Sequence, residues 1–255
     1  MNNVSCDLVV PIYNEGKKII KLIDEFDKNI SIKFRVLLCY DDDSDDIFNH
    51  VSELKNYNFK VILVKNPNKG PCSAVKSGLN YGGSDCVIVY PADDFLNFNI
   101  IDKMYQAFIQ GNDVVVASRF IKGGSMKGCP MLKAFLVRLA SSTLYLFSSI
   151  PVKDASNGFR LFSRNLLNTV NIESKLGFAY SLELLAKCNR LGLKIAEIPA
   201  QWEERSEGSS RFKILNWLPD YLRWYFYGIE TTWFKRKYEK NKIFGLRGDF
   251  ITSPY

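Results

Sequence analysis

The sequence predicts an α/β chain: a mostly parallel, doubly wound sheet followed by an aromatic amphipathic helix at the carboxyl end. Three observations carry this. Apolar, β-rich runs recur at Asp7 to Ile12, Phe34 to Tyr40, Val61 to Val64, Cys86 to Tyr90 and Asp113 to Ser118. Between them, apolar residues return at one-face helical spacing, at Ile19, Ile20, Ile23 and Phe26 and again at Ile101, Met104, Tyr105 and Phe108. From Phe212 to Lys242 the chain is dense in aromatics and ends on cations. Strands alternating with helices need crossover connections, which leave the strands parallel.

The first strand ends in Val9-Val10-Pro11-Ile12-Tyr13-Asn14-Glu15-Gly16. Tyr13 can stack there on a flat base, and Glu15 can accept hydrogen bonds from base or ribose. A helix start, with Asn14 as cap and Glu15 in the first turn, fits the same residues. The second strand runs into Asp41-Asp42-Asp43-Ser44-Asp45-Asp46. One of these acids can pair with a nucleobase while Ser44 caps a helix. Several must stay solvated, because so many anions cannot be desolvated together. The fourth strand ends in Tyr90-Pro91-Ala92-Asp93-Asp94. A buried strand delivering two carboxylates at its carboxyl end places hard oxygen ligands where open α/β sheets bind substrates, which suits a divalent cation carrying a diphosphate. A helix cap beside a solvated loop acid is the competing reading.

The alternation breaks after Arg119. Residues 120 to 130, with Gly123, Gly124, Gly128 and Pro130, read as a loop long enough for a lid or an acceptor-binding segment. A helix is expected from Met131 to Ser149. Arg138 and Ser142 lie four apart on one of its faces, a spacing suited to phosphate capture. Leu132, Phe135, Leu136 and Leu139 fit an ordinary core helix equally well. A short strand near Gly158 to Phe162, a helix near Tyr180 to Leu191 and a strand from Lys194 to Trp202 complete the expected catalytic domain, residues 1–212. Residues 213–255 form an appendage whose rings and basic tip suit a lipid interface, or packing across the domain or against another subunit.

With 255 residues, 47% of them hydrophobic and 24% charged, the chain has an ordinary globular composition. Its net charge of +7 favours an anionic partner. Six cysteines without paired spacing read as reduced thiols of a cytoplasmic protein. A single histidine, His50, argues against Ser-His or Cys-His catalysis and against a multi-histidine metal site. No signal peptide opens the sequence, and the longest uncharged apolar stretch, Leu139 to Val152, falls short of the roughly 20 residues a membrane span needs. Neither G-x-G-x-x-G after the first strand nor a P-loop motif occurs, so dinucleotide redox chemistry and P-loop phosphoryl transfer lose their main support. A nucleotide held without a glycine-rich cradle needs another counter-charge, which a cation at Asp93 and Asp94 would supply.

Taken in order, Val10-Pro11-Ile12-Tyr13-Asn14-Glu15, Asp41-Asp42-Asp43-Ser44, Pro91-Ala92-Asp93-Asp94, Ala117-Ser118-Arg119-Phe120, Asp154-Ala155-Ser156-Asn157-Gly158-Phe159-Arg160 and Arg205-Ser206-Glu207-Gly208-Ser209-Ser210-Arg211 resemble the motifs of family 2 glycosyltransferases. The likeness covers residues 6 to about 213 and is greatest to polyprenyl-phosphate sugar transferases of the dolichyl-phosphate mannosyltransferase type. It implies a GT-A fold, a nucleoside-diphosphate sugar donor, an Mg2+ or Mn2+ ion and inversion at the anomeric carbon. By position, Pro11, Tyr13, Glu15 and Asp42 would hold the nucleoside, and Asp93 and Asp94 the metal and diphosphate. Arg119, Arg138, Ser142 and Arg205 match positions that meet donor or acceptor phosphates, and Arg211 replaces the lysine of a closing Ser-Lys, a planar fork for a compact ammonium. Pro91 stands where the mannosyltransferases usually carry an Asp, so one metal-side carboxylate is missing and Asp94 would replace it.

The acceptor decides whether a base is needed. A lipid monophosphate, with a second pKa near ~6, is already a dianionic nucleophile at neutral pH. A glycan hydroxyl would need a carboxylate base, and Asp154 and Glu183 are the candidates by motif position. Asp154 also suits a turn held by side-chain bonds to the backbone. The leading expectation is therefore hexose transfer to a polyprenyl phosphate at the inner face of a membrane. The rivals are a polysaccharide-building transferase and a non-catalytic nucleotide-sugar binder. Nucleic acid is not an expected partner, since acids crowd the sheet edge and no RNA-reading motif appears. A homo-oligomer is compatible with all of this.

Overall fold

The computed structural model describes residues 4–55, 57–204 and 214–233. Seven strands form the main sheet: β1 (Val4–Pro11), β2 (Phe34–Tyr40), β3 (Val61–Lys65), β4 (Ser84–Val89), β5 (Val114–Ser118), β7 (Arg160–Ser163) and β8 (Ile195–Pro199). Two more, β6 (Ser125–Lys127) and β9 (Gln201–Glu203), pair in parallel as a small second sheet. The main sheet has the order β3-β2-β1-β4-β7-β5-β8. All its pairs are parallel except those of β7, which runs against both β4 and β5.

Strands buried on both faces read as unbroken apolar runs, and β2 shows why. Val36, Leu38 and Tyr40 join the core on one face, beneath α1 (Gly16–Asn29) and α3 (Ile101–Ile109). Leu37 and Cys39 join the core on the other, beneath α2 (Pro71–Asn80), α5 (Arg164–Thr169) and α6 (Ala179–Arg190). The apolar stripe of α1 is buried as its spacing requires, with Ile19, Leu22, Ile23 and Phe26 fully enclosed. Close packing of α2 depends on Gly78, where any Cβ would collide with the Val9 side chain.

The chain passes from β1 outward to β3 and returns to β4 on the other side of β1. This is a topological switch point, and ligands of open α/β sheets bind outside the carboxyl ends of the strands there. The reversed β7 adds to the same edge. Arg160, its first residue, sits in register with Val89 of β4 and Val116 of β5. The loop preceding it, residues 154–159, therefore emerges between the carboxyl ends of those two strands.

Several expectations change. The strand expected from Lys194 to Trp202 divides at Ala200, whose N–H donates to Ser118 O at 2.9 Å and whose carbonyl accepts from Ser125 N at 3.0 Å. The second half leaves the main sheet as β9 and pairs with β6, so the loop expected over residues 120–130 contains a strand. The helix α4 (Met131–Phe147) is present, but Leu132, Phe135, Leu136 and Leu139 are exposed, so they do not form a core face.

The aromatic helix α7 (Ile214–Trp233) packs with one face on the domain. Asp220 Oδ2 accepts from the N–H groups of Lys175 and Leu176 at 3.2 and 3.0 Å, Trp217 lies against Gly177, and Trp224 is 1% exposed. Its outer stripe, Leu218, Leu222 and Phe226, is exposed. The expected boundary at 212/213 and the basic tip beyond 234 lie outside the described residues. All six cysteines are free thiols, five of them buried. Among the described residues no helix is long and apolar enough to cross a membrane.

Candidate active site

At the end of β1, Tyr13 is 54% exposed and Asn14 takes a positive φ of 50°. That turn is locked to the next one. Asn14 N–H donates to Asp45 Oδ2 at 2.9 Å, and Gly16 N–H donates to Asp46 Oδ1 at 2.9 Å. The acidic cluster after β2 is thus largely a set of backbone acceptors. Asp41 takes Gly70 N–H and the Asn66 amide, both at 2.8 Å, and so holds the loop that starts α2. Asp42 accepts from Ser44 N at 3.1 Å and Ser44 Oγ at 3.0 Å and pairs with Lys69 at 3.3 Å. The Ser44 N–H, then the hydroxyl and Lys69, hold the Asp42 carboxyl below its ordinary pKa. Pro11, Tyr13, Glu15 and Asp42 all lie along this carboxyl edge, beside the switch point.

Asp93 is exposed at the end of β4, whereas Asp94 turns inward. Asp94 Oδ1 accepts from Leu96 N at 2.9 Å and Asn97 N at 3.1 Å, and Oδ2 accepts from Asn97 Nδ2 at 2.6 Å. Burial pushes the Asp94 pKa up, although these hydrogen bonds oppose it. A carboxylate offers about four acceptor positions, so Asp94 keeps one on Oδ2. Tyr90 Oη donates to the Asp94 carbonyl at 3.0 Å, which fixes the loop from below.

Asn97 was not marked by the sequence, and it ties this loop to the second sheet. It is 2% exposed. Besides Asp94, its Nδ2 donates to Gln201 O at 2.8 Å, and its Oδ1 accepts from Gln201 N at 2.9 Å. Asn97→Ala removes the partner of an Asp94 oxygen and of two backbone groups of β9, at up to about 1–3 kcal/mol for each group that water does not then reach. The expected result is a lower urea midpoint, measured by denaturation.

On the far side of β7, Asp154 is completely buried and all four of its acceptor positions are filled. Oδ2 accepts from Arg119 N at 2.9 Å and Arg119 Nε at 2.7 Å; Oδ1 accepts from Arg119 Nη2 at 2.8 Å and Ser156 Oγ at 3.1 Å. Burial alone would raise its pKa, but Arg119, with Arg160 behind, outweighs burial and holds it below the usual carboxylate range. Arg160 is itself fully buried, donates to the carbonyls of Ala155 and Ser181, and is pushed down to about 10 by burial. Asp154 therefore leaves no open oxygen edge for a substrate hydroxyl.

Glu183 fares similarly. It is buried on α6, where it accepts from Glu173 N at 2.7 Å, Ser174 N at 2.8 Å and Lys187 Nζ at 2.7 Å. Its bonds staple the loop before α6, so the expected base has a structural task.

Beside Arg119 opens a cleft of about 380 Å³ lined by Phe120, Arg138, Ser142, Tyr145, Leu146 and Lys153. The guanidinium groups of Arg119 and Arg138 each lie 5.1 Å from the Phe120 ring centre, so one ring orients both cations. The structure thus brings Arg119, Arg138, Ser142 and Asp154 together at one end of the edge, with Pro11, Tyr13, Glu15, Asp42 and Asp93 toward the other. Lys153, which the sequence did not mark, joins the cationic cleft; its position just before Asp154 was the available signal. Arg205 and Arg211 lie outside the described residues.

Residues 7–170 match the family model described as glycosyl transferase family 2. The chain belongs to that family. It is 26% identical over 210 residues to a dolichol-phosphate mannosyltransferase of Pyrococcus furiosus, covering 81% of this chain and 58% of that protein. A dolichyl-phosphate beta-glucosyltransferase of Trichomonas vaginalis is 25% identical over 221 residues, covering 79% of this chain and 67% of the relative. Among solved structures, glucosyl-3-phosphoglycerate synthase from Mycobacterium tuberculosis in complex with Mn2+, UDP and glucosyl-3-phosphoglycerate aligns with a TM-score of 0.62 at 17% identity, covering 89% of this chain and 79% of that one. The same synthase with Mg2+ and UDP gives 0.60 at 18% identity, covering the same 89% and 79%. The fold of this glycosyltransferase is accordingly GT-A.

Proposed function

We propose that this family 2 glycosyltransferase moves a hexosyl group from a nucleoside-diphosphate sugar to the phosphate of a polyprenyl lipid, inverting the anomeric carbon. The observation that carries the reading is the pairing of a cationic cleft with carboxylates that are already saturated. Asp154 has no free acceptor position and Glu183 is buried in a staple, while Arg138, Ser142 and Lys153 converge on one cleft. A phosphate acceptor needs cations and no base; a sugar hydroxyl needs the reverse. The likeness to a dolichol-phosphate mannosyltransferase and a dolichyl-phosphate beta-glucosyltransferase supports the same acceptor class.

In the reaction, an acceptor phosphate oxygen bonds to the anomeric carbon as that carbon's bond to the diphosphate oxygen breaks, and the nucleoside diphosphate leaves with the electron pair. Tyr13 offers a stacking face for the base, and Glu15 and Asp42 offer acceptors beside it. Asp154 fixes the Arg119 guanidinium before substrate arrives, so that Nη1, whose protein contact is the weak acceptor Met126 Sδ at 3.8 Å, meets phosphate with little reorganisation. Arg138, Ser142 and Lys153 hold the acceptor phosphate in line. The family implies Mg2+ or Mn2+, and the donor set fits: exposed Asp93 and the remaining Oδ2 position of Asp94 are hard oxygens. Among the described residues no cluster of three His, Cys, Asp or Glu side chains offers a full protein cage. Asp93 and Asp94 would hold the ion, which when bound supplies Lewis-acid neutralisation of the leaving diphosphate. On this reading the enzyme works at the cytoplasmic face of a membrane, where such an acceptor resides.

Two measurements test the proposal. A calorimetric panel of GDP, UDP, CDP and dTDP with and without Mn2+ should give one preferred base whose affinity rises with the metal. Turnover should occur with a polyprenyl phosphate and not with saccharide acceptors; the opposite preference would sink the reading. Arg138→Ala should raise KM for the lipid phosphate about 10–100-fold, the equivalent of one lost charged hydrogen bond, and leave KM for the donor unchanged.

A further inference from the structure

We propose that Arg160 and Ser181 are positioning residues for the transfer: they fix the turn of residues 154–157 on the first turn of α6, and through Asp154 they set where Arg119 presents its guanidinium to phosphate. Neither side chain lines the cleft, and Arg160 is 0% and Ser181 3% exposed. Their action on the reaction must therefore pass through the backbone they hold.

A fully buried guanidinium is costly to desolvate. Arg160 is not required as the partner of Asp154, whose four acceptor positions are taken by Arg119 and Ser156. Its hydrogen bonds go to backbone instead. Nη2 donates to Ala155 O at 2.6 Å, next to Asp154, and Nη1 donates to Ser181 O on α6. One planar fork thus spans the turn and the helix, a geometry that a lysine's single nitrogen does not reproduce.

Ser181 closes the bracket from the other side, its hydroxyl donating to Asn157 O at 3.1 Å. Asn157 passes the constraint on: Nδ2 donates to Ala117 O at 2.6 Å, two residues before Arg119, and Oδ1 accepts from Phe159 N at 3.1 Å. Glu197 Oε1, on β8, accepts the Asp154 N–H at 3.1 Å. The turn carrying Asp154 is thereby held on both flanks. The helix that anchors it is set in the core, since in α6 only Lys187 and Asn189 are not buried. Side chains locked by such a supporting layer keep a reacting geometry, and a misplacement of about 1 Å can cost about a hundredfold in rate. The inference rests on the reading of Arg119 as a phosphate contact, while the bracket itself is tested without substrate.

The test follows the Arg119 Nε–H signal in the 15N-labelled full chain, assigned by its loss in Arg119→Lys. In the wild type that proton is donated to Asp154 Oδ2 at 2.7 Å and should exchange slowly with solvent. Arg160→Met should speed the exchange by about tenfold or more and lower kcat by about 10–100-fold, with KM for the acceptor phosphate within about twofold of wild type. Ser181→Ala keeps every charge and should act in the same direction, by about 3–10-fold in kcat, the equivalent of one neutral hydrogen bond. It carries the test if Arg160→Met fails to fold. Arg164→Met is the control for lost stability. That guanidinium also holds backbone, Leu79 O at 2.6 Å and Ser84 O at 3.2 Å, but at the amino end of β4, so exchange and kcat should stay as in the wild type. The proposal is overturned if Ser181→Ala leaves both exchange and kcat unchanged, if Arg164→Met moves them as much as Arg160→Met, or if the loss falls on KM for the acceptor instead. Faster exchange in the variants of a protein that does not turn over lipid phosphates would keep the bracket and remove the acceptor assignment.

Discussion

Asp93→Asn is expected to lower kcat/KM by about a thousandfold while leaving the melting temperature within about 2 °C of wild type. The side chain is exposed at the carboxyl end of β4, so the amide fits the same space without the negative charge. Asp94→Asn should behave differently. Its Oδ1 accepts two backbone N–H groups and its Oδ2 accepts from Asn97, so an amide nitrogen must face a donor in one position or the other. The cost is about 1–3 kcal/mol of stability for the group left unpartnered, beyond any loss of turnover. Calorimetry separates the two roles. In Asp93→Asn the gain in nucleotide affinity from Mn2+ should vanish in a protein that unfolds normally. In Asp94→Asn a weaker gain should accompany a lower urea midpoint. Full turnover in Asp93→Asn would remove the cation from the mechanism and the donor site from this edge.

Why these acids divide so differently bears on what sequence can convey. The parallel strands were legible because burial on both faces makes them continuous apolar runs, as in Phe34–Tyr40. The helix Pro71–Asn80 was not: its small residues make a weak stripe, and Gly78, which reads as a helix breaker, is there to let the helix meet Val9. Likewise, no pattern in four residues announces that β7 runs backward, although that reversal sets the Asp154 loop between Asp93 and Arg119. Motif order identified the edge at which Asp42, Asp93, Arg119 and Asp154 gather. It could not say which carboxylates would already be spent on protein donors, because saturation is a property of three-dimensional neighbours such as Ser156 and Asn97. The leucines of α4 show the same limit, since helical spacing defines an apolar face and does not say what covers it.

Asp154→Ala should prove the more destabilising change, by about 3–5 kcal/mol, because it strands a largely buried guanidinium that has lost its bidentate partner. The loss is expected to reach catalysis through Arg119. Freed from Asp154, Arg119 must be ordered during the reaction, so kcat should fall by about a hundredfold with little change in KM for the acceptor, whose proposed contacts at Arg138 and Lys153 are untouched. Arg119→Ala and the double variant complete a cycle, and the two losses should be far from additive, by about 1–3 kcal/mol, if the residues act as one unit. Acidity provides an independent check. Because the folded pKa of Asp154 is lowered, its stabilisation is fully present above the unfolded value near ~3.9 and is lost as pH falls through the folded value. The stability gap between wild type and Asp154→Asn should therefore narrow below about pH 4. Asp94, whose folded pKa is raised, has the opposite sign: its contribution is present below the unfolded value and disappears as pH rises through the folded one. As pH falls, the gap in denaturant midpoint between wild type and Asp154→Asn should therefore narrow, while the contribution of Asp94 moves the Asp94→Asn gap the other way. Parallel curves would mean that the Arg119 pair does not govern the acid limb.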